Sequence, residues 1–263
     1  MATKSLITAW LIIAKNNLQN QLLTPSASSL FVVGKLVTFV FTVFTVFAIF
    51  STTKSIGSFT LNQAIIVVIV YNLVDSFTQF LFRSIYSFRP ILLRGEFDLD
   101  LLKPLPSFFR PLLSNPDFLD LPSITLQLTA LGFFIIKLNI NPSPVDIFNF
   151  LALFVISVIV AFSLHLLMAA FSILTTEIDN IAGIYRSFIR SGIVPTDIYS
   201  GTFRLIIDYL IPVTILVTIP AKAILGLLTV QSILYTAIFS LVLFTASILF
   251  WRHTLRYYTS TGS

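Results

Sequence analysis

The 263-residue sequence has no cysteine, which removes disulfides, thiolate metal sites and cysteine nucleophiles. Charge is scarce too: 10% of residues are Asp, Glu, Lys or Arg, against about 25% in soluble domains. A chain so poor in charge cannot dress a surface that meets water on every side. Nucleotide and metal motifs are missing as well. There is no G-x-x-x-x-G-K-[ST], because Gly34-Lys35 lacks the preceding loop, and neither H-E-x-x-H nor G-x-S-x-G occurs. The two histidines, His165 and His253, lie far apart in sequence and in expected depth. No basic leader with a small-residue cleavage site is evident around Trp10, and no internal repeat is found.

What is present is apolar. Hydrophobic residues make up 56% of the chain, 27 of them phenylalanine, and the mean hydropathy is +0.96. Runs of about 20 apolar residues are the length a membrane-spanning helix needs. They are too long and too little alternating for barrel strands. The expected fold is therefore an all-α integral membrane protein, with one helical bundle using residues 1–263. The net charge of +5 is explained by basic residues at one membrane face, with no need for a nucleic-acid partner.

Taken in order, residues 5–23 place Ile7, Leu11, Ala14, Leu18 and Leu22 on one helical face, as in a helix lying in the lipid interface. Pro25 and the serines after it are expected to break that helix. Spans are expected at 30–50, 61–82, 121–138, 145–173, 203–219 and 230–251. In the first, Gly34, Thr38, Thr42 and Thr45 form a small-residue stripe suited to close packing. In the second, Asn72, Asp75 and Gln79 fall on one face. Because a charge at mid-membrane is costly, that face must meet protein or water. It either lines a substrate path or clamps a neighbouring helix. His165 in the fourth span fits hydrogen-bonded packing better than a proton relay.

Between the second and third spans, residues 84–120 form a polar, proline-broken segment. With Arg83 it holds five of the 16 basic and five of the 11 acidic residues. A short helix is expected over 92–102, with Ile91, Leu92, Leu93, Leu101 and Leu102 needing cover, and a second from Asn115 with Pro116 in its first turn. Residues 175–202 are polar again, with an amphipathic face of Ile178, Ile181, Tyr185 and Phe188. The run 203–219 carries Asp208 and Pro212, and Pro220 and Lys222 interrupt it. That pattern fits a re-entrant element which enters the bilayer, bends and returns. At the end, Trp251, Tyr257 and Tyr258 with Arg252 and Arg256 form an interfacial anchor. Six spans put both termini at one face. Twelve of the 16 Lys and Arg, Arg204 among them, fall there, against Lys54, Lys137 and Lys222 at the other. That bias makes the termini and residues 84–120 cytoplasmic, in a multi-pass protein of the cell inner or plasma membrane.

The run Leu93-Arg94-Gly95-Glu96-Phe97-Asp98, with Leu101-Leu102-Lys103-Pro104, resembles the "G-E-L-D … L-L-R-P" stretch of permease subunits in the ATP-binding-cassette type-2 (ABC-2) family, in an uncharacterised bacterial branch. Ile219-Pro220-Ala221-Lys222-Ala223 with Leu225-Gly226 is similar to that branch's "P-A … L-L-G", and Trp251 to Ser260 resembles its "W … G-L-R-R-Y-S-S" ending. Phe97 stands where Leu is usual, and His253 and Thr254 where Gly is common. The resemblance implies a six-helix half-permease of an ABC transporter, an exporter. Two ATPase subunits on separate chains would bind ATP and magnesium, leaving no cofactor in this chain. A second permease subunit, identical or related, would complete the pathway. The ATPase-coupling residues would be Arg89, Arg94, Gly95, Glu96, Asp98, Leu101, Leu102, Lys103 and Pro104; Asn72, Asp75 and Gln79 would line the pathway; Pro212, Pro220 and Lys222 would belong to the re-entrant element. The rival readings are a membrane scaffold or signalling subunit that docks a cytoplasmic protein without transport, and an intramembrane enzyme, for which no catalytic constellation is found.

Overall fold

A computed structural model describes residues 2–52, 55–56, 59–175 and 181–259. Its axis is a helix whose residues Ala64 through Val70 are all buried. The elements run α1 (Ala2–Leu22), α2 (Pro25–Thr52), β1 (Ser55–Ile56), β2 (Phe59–Thr60), α3 (Leu61–Phe82), α4 (Ile85–Leu93), α5 (Glu96–Leu101) and α6 (Phe109–Leu113). They continue as α7 (Leu121–Lys137), α8 (Pro144–Leu174), α9 (Ile181–Ile189), α10 (Gly201–Leu205), α11 (Ile219–Ile224) and α12 (Val230–Thr254). Five helical runs are long and apolar enough to cross a membrane, and a sixth is counted if the bent pair Gly201–Leu210 and Thr214–Ile224 is one span. This is the all-α, multi-pass architecture expected from composition.

The buried helix is α3, packed against α2, α7, α8 and the segment around Thr214–Thr218. Its neighbours shield a stretch rich in Ile and Val, whereas α2 and α12 leave most of their surface uncovered. Three helices start at the same end of the bundle, and each has a reciprocal cap. Thr60 with Gln63 closes α3, Ser143 with Asp146 closes α8, and Thr229 with Ser232 closes α12. Such boxes satisfy amide donors that have no intrahelical acceptor. We refer to this as the turn end. The opposite loop end holds α1, α4 to α6 and the C-terminal residues.

Pro25 does not break the chain where expected. It opens α2, so the turn contracts to Leu23–Thr24. Proline at the first helical position loses only an amide that would be unpaired anyway. On α1, Ile7, Leu11, Leu18 and Leu22 are exposed while Ala14 is buried. The polar side chains do the docking: Asn17 donates to the Ser114 carbonyl at 2.8 Å, and the Phe118 amide donates to Gln21 Oε1 at 3.0 Å.

The bundle is stitched at the loop end by charge. Lys35 pairs with the buried Asp120, tying α2 to the start of α7, and Arg83 reaches Asp117 at 3.3 Å. Above these pairs Gln127 donates to Ser76 at 2.9 Å between α7 and α3. Gln79, one turn from Ser76, is 1% exposed. It therefore belongs to the packed interior and not to an open face with Asp75, which corrects its place in the expected pathway lining.

The fifth apolar run is not one straight segment. A left-handed Gly201 (φ 61°) starts α10. Two wide π turns, Ile206–Leu210 and Thr214–Thr218, flank a 69° bend at Ile211–Pro212. Pro220, expected to interrupt, lies buried inside the continuous run Thr214–Ile224. The preceding π turn already displaces the bond its missing amide would have made. The polar stretch before this hairpin climbs the bundle: Arg186 meets Asp75 on α3, and the Thr196 hydroxyl donates to Thr218 at 2.9 Å. Gly192 packs so closely that a Cβ there would lie 2.9 Å from Val213 Cγ1 and 3.1 Å from Val217 Cγ2. Valines are stiff at χ1, so Gly192→Ala should lower stability by about 1–3 kcal/mol, measured as a drop in the unfolding midpoint of the detergent-purified protein. An unchanged midpoint would show that the contact yields. Of the amphipathic face expected over 175–202, Tyr185 is buried and Phe188 half-buried; Ile178, Glu177 and Asp179 lie outside the described residues.

Candidate functional site

The candidate site begins where α3 ends. Counted with α4, the helix spans 33 residues, about 50 Å at 1.5 Å per residue, against a hydrocarbon core of about 30 Å. The run is thus longer than one crossing needs, and α4 is its extension at the loop end. Phe82 at the foot of α3 packs on Phe162 and His165 of α8. His165 is buried, with Nδ1 against the Ala161 carbonyl at 2.7 Å, which is the packing role expected of it.

The helix expected over 92–102 is in fact two. α4 stops at Leu93, and Gly95 adopts φ 68° before α5 begins. A left-handed residue there is what glycine tolerates best, and the Gly95 amide closes on the Leu92 carbonyl at 3.0 Å. The second helix expected from Asn115 is also displaced. The Asn115 amide donates to Ser84 Oγ at 2.6 Å, and the helix starts only at Leu121, with Pro122 in its first turn.

The resulting elbow has a buried inner side and an exposed outer one. Phe97, fully buried, sits edge-on to Phe88 at 5.2 Å and Tyr258 at 5.4 Å, with Trp251 at 6.4 Å. Trp251 is 1% exposed, and its indole N–H donates to Ser107 Oγ at 2.9 Å. It is therefore a core residue joining α12 to the elbow, not the lipid-interface anchor expected from sequence; Tyr257, at 61% exposed, fits that description better. Asp98 stands beside Tyr258, whose hydroxyl is pushed up to about 12, first by burial and then by this carboxylate. Asp100 links α5 onward, to Lys103 at 2.7 Å and Arg110 at 3.3 Å.

On the outer side Arg94 Nε meets Glu96 Oε1 at 2.5 Å in the open. The Arg94 hydrogen bond holds the Glu96 carboxyl below its usual range. Leu93, Leu99, Leu101 and Leu102 are all exposed, Leu102 at 82%. Ile91 and Leu92, which were expected to need cover, have it within the chain. Lys103 and Pro104 are exposed and Arg89 is half-buried. Four exposed leucines and one exposed ion pair thus fall within residues 93–102. Nothing in the sequence singled out Phe97 or Trp251 as the elbow's support, although two rings near otherwise polar stretches were the available signal.

A second group of polar residues lies on the side of α3. Asp75 Oδ2 is 3.6 Å from Arg186 Nη2, Arg186 is hydrogen-bonded to Tyr86, and Asn72 Nδ2 donates to the Val68 carbonyl at 2.8 Å. A third knots the bent hairpin. Asp197 accepts Lys222 at 2.7 Å and Arg204 at 3.5 Å, Arg204 also reaches Asp208 at 3.2 Å, and Asp208 takes the Thr214 hydroxyl. Lys222 lies over the Phe59 ring at 5.8 Å, which puts this knot toward the turn end. Arg204, assigned by sequence to the opposite face, therefore sits with Lys222. Pro212 and Lys222 of the expected re-entrant element both belong to this region, Pro212 at its bend and Lys222 in its ion set.

A bundle of helices long and apolar enough to cross a membrane, with a polar elbow at one end, is the form of a multi-pass membrane protein. The profile of the ABC-2 family transporter protein matches residues 36–262, and the chain belongs to that family. It is thus a membrane subunit of an ABC transporter, a class that works with ABC ATPase subunits and is not itself catalytic. No curated protein and no solved structure matches the chain.

Proposed function

We propose that this chain is the permease half of an ABC exporter and that the α4–α5 elbow receives the stroke of ATPases carried on separate chains. The observation that carries this reading is the Phe97 wedge. Fully buried between α4 and α12, it makes the elbow stiff relative to two long helices, so that a push on α5 moves α3 and α12 rather than bending a loop. The residues that would meet the ATPase are Arg89, Arg94, Gly95, Glu96, Asp98, Leu101, Leu102, Lys103 and Pro104. ATP and magnesium would be held on the partner, with the elbow and both termini on the cytoplasmic side of the cell membrane. Two permease halves would pair, with Asn72 and Asp75 facing the path between them. Charged side chains on an outward face of α3 are too costly to leave in lipid, and a second half supplies the cover.

The test is ATP hydrolysis and its coupling in the complex purified from native membranes. Arg94→Glu and Glu96→Lys each reverse one member of an exposed pair and leave the buried wedge intact. Each should weaken ATPase retention about tenfold, or roughly 1.4 kcal/mol, while the double exchange Arg94→Glu with Glu96→Arg recovers part of it. Undiminished association and turnover in both single variants would remove the elbow from the coupling path. Association without any nucleotide-driven cycle would favour a scaffold.

A further inference from the structure

The side of α3 holds a charge arrangement that packing alone does not explain. Tyr71 and Asp75 are one turn apart on α3, and Tyr86 on α4 follows eleven residues later on the same face, three helical turns on. Opposite them Arg186 and Arg190, also one turn apart, project from α9 and the turn after it. Among the described residues Asp75 makes its ion pair with Arg186. Arg190 is exposed, lies near enough to act electrostatically on both Asp75 and Tyr71, and makes no ion pair among the described residues. Two further cations act on Asp75, Lys35 and Arg83, but each is engaged by its own carboxylate, Asp120 and Asp117. Among the described residues the face thus holds two guanidinium groups against one carboxylate. Tyr86, the Asp75 carboxylate and Arg186 remain partly accessible, at 38%, 24% and 37%.

We infer that Arg186 and Arg190, with Tyr86 beside Arg186, bind a single anionic group, a phosphate or carboxylate, carried on an amphiphile. Guanidinium groups present paired donors that match both anions. Asp75 holds Arg186 in place and balances part of the charge while the site is empty. The site stands seven residues from the foot of α3, about 10 Å into the helix, inside one of the runs apolar enough to cross a membrane, where a hydrocarbon tail would find cover. This rests on the reading of the α3 face as pathway lining, and it names the class of substrate that path would take.

The experiment uses the full chain in a non-ionic detergent and needs no ATPase, so its outcome is independent of the elbow variants. Binding of dioctanoyl phosphatidate is compared with dioctanoylglycerol, which has the same tails without the charge, and with inorganic phosphate. The wild type should bind the phosphatidate at least tenfold more tightly than either. Arg190→Gln, at an exposed position, should abolish that preference with an unchanged unfolding midpoint. Asp75→Asn, which removes the competing carboxylate, should tighten phosphatidate binding severalfold, an effect that loss of structure cannot mimic. Equal binding of charged and neutral lipids, or an unchanged preference in Arg190→Gln, would overturn the anion site and reduce the two arginines to surface charges. Equal affinity for inorganic phosphate would overturn the part assigned to the tail and make the ligand a free anion.

Discussion

Replacing Phe97 with alanine is expected to loosen the elbow and to uncouple ATP hydrolysis from transport while leaving the outer docking patch chemically intact. Phe97 is fully buried among Phe88, Trp251 and Tyr258. Truncating a buried phenylalanine removes its apolar burial and leaves a cavity, together about 3–5 kcal/mol. The cavity opens between α5 and the helices it is meant to move. Unfolding of the purified chain should shift accordingly, and the ATPase should still bind because Arg94, Glu96 and the exposed leucines are untouched. Phe97→Leu keeps most of the volume and should cost less; leucine is also the residue found there in the resembling permeases. If Phe97→Ala unfolds at the wild-type midpoint with transport still tied to hydrolysis, the wedge is not the stiffening element.

Asp197→Ala should be the most damaging single change outside the elbow. One carboxylate faces both Lys222 and Arg204, and taking it away strands Lys222 and leaves Arg204 to Asp208 alone among the described carboxylates. Breaking a buried ion set in this way costs about 3–5 kcal/mol. With Asp197 at 21% side-chain exposure, the lower part of that range applies. The measurement is the yield and unfolding midpoint of the detergent-purified variant. Adding Lys222→Ala should cost less than the sum of the two single changes, because the second removes a charge the first left stranded. Strict additivity, or a midpoint like the wild type's, would show that water already serves these groups.

Much of the bundle was legible because its signals are local. The α3 helix, Leu61–Phe82, is bracketed by a capping threonine and an arginine, with a largely apolar run between them. The start of α8 follows from Ser143, Pro144 and Asp146. The elbow was legible as a place, from its charge and prolines, but not as a shape. Gly95 was noted for resemblance and not as the left-handed joint that splits one expected helix into two. Trp251 looked like an interfacial aromatic because its partner, Ser107, lies 144 positions away, and no periodicity reveals a contact at that distance. The same holds for Lys222 and Asp197. Counted by membrane face, Lys222 and Arg204 belonged to opposite ends, and only the climb of the chain from α9 to the hairpin brings them together on Asp197.

The two π turns beside Pro212 each hold one residue more than an α turn of the same height. If either tightened to α geometry, everything beyond it would rotate by about 100° and shift by about 1.5 Å. The bent hairpin therefore carries slack equal to one residue on each arm.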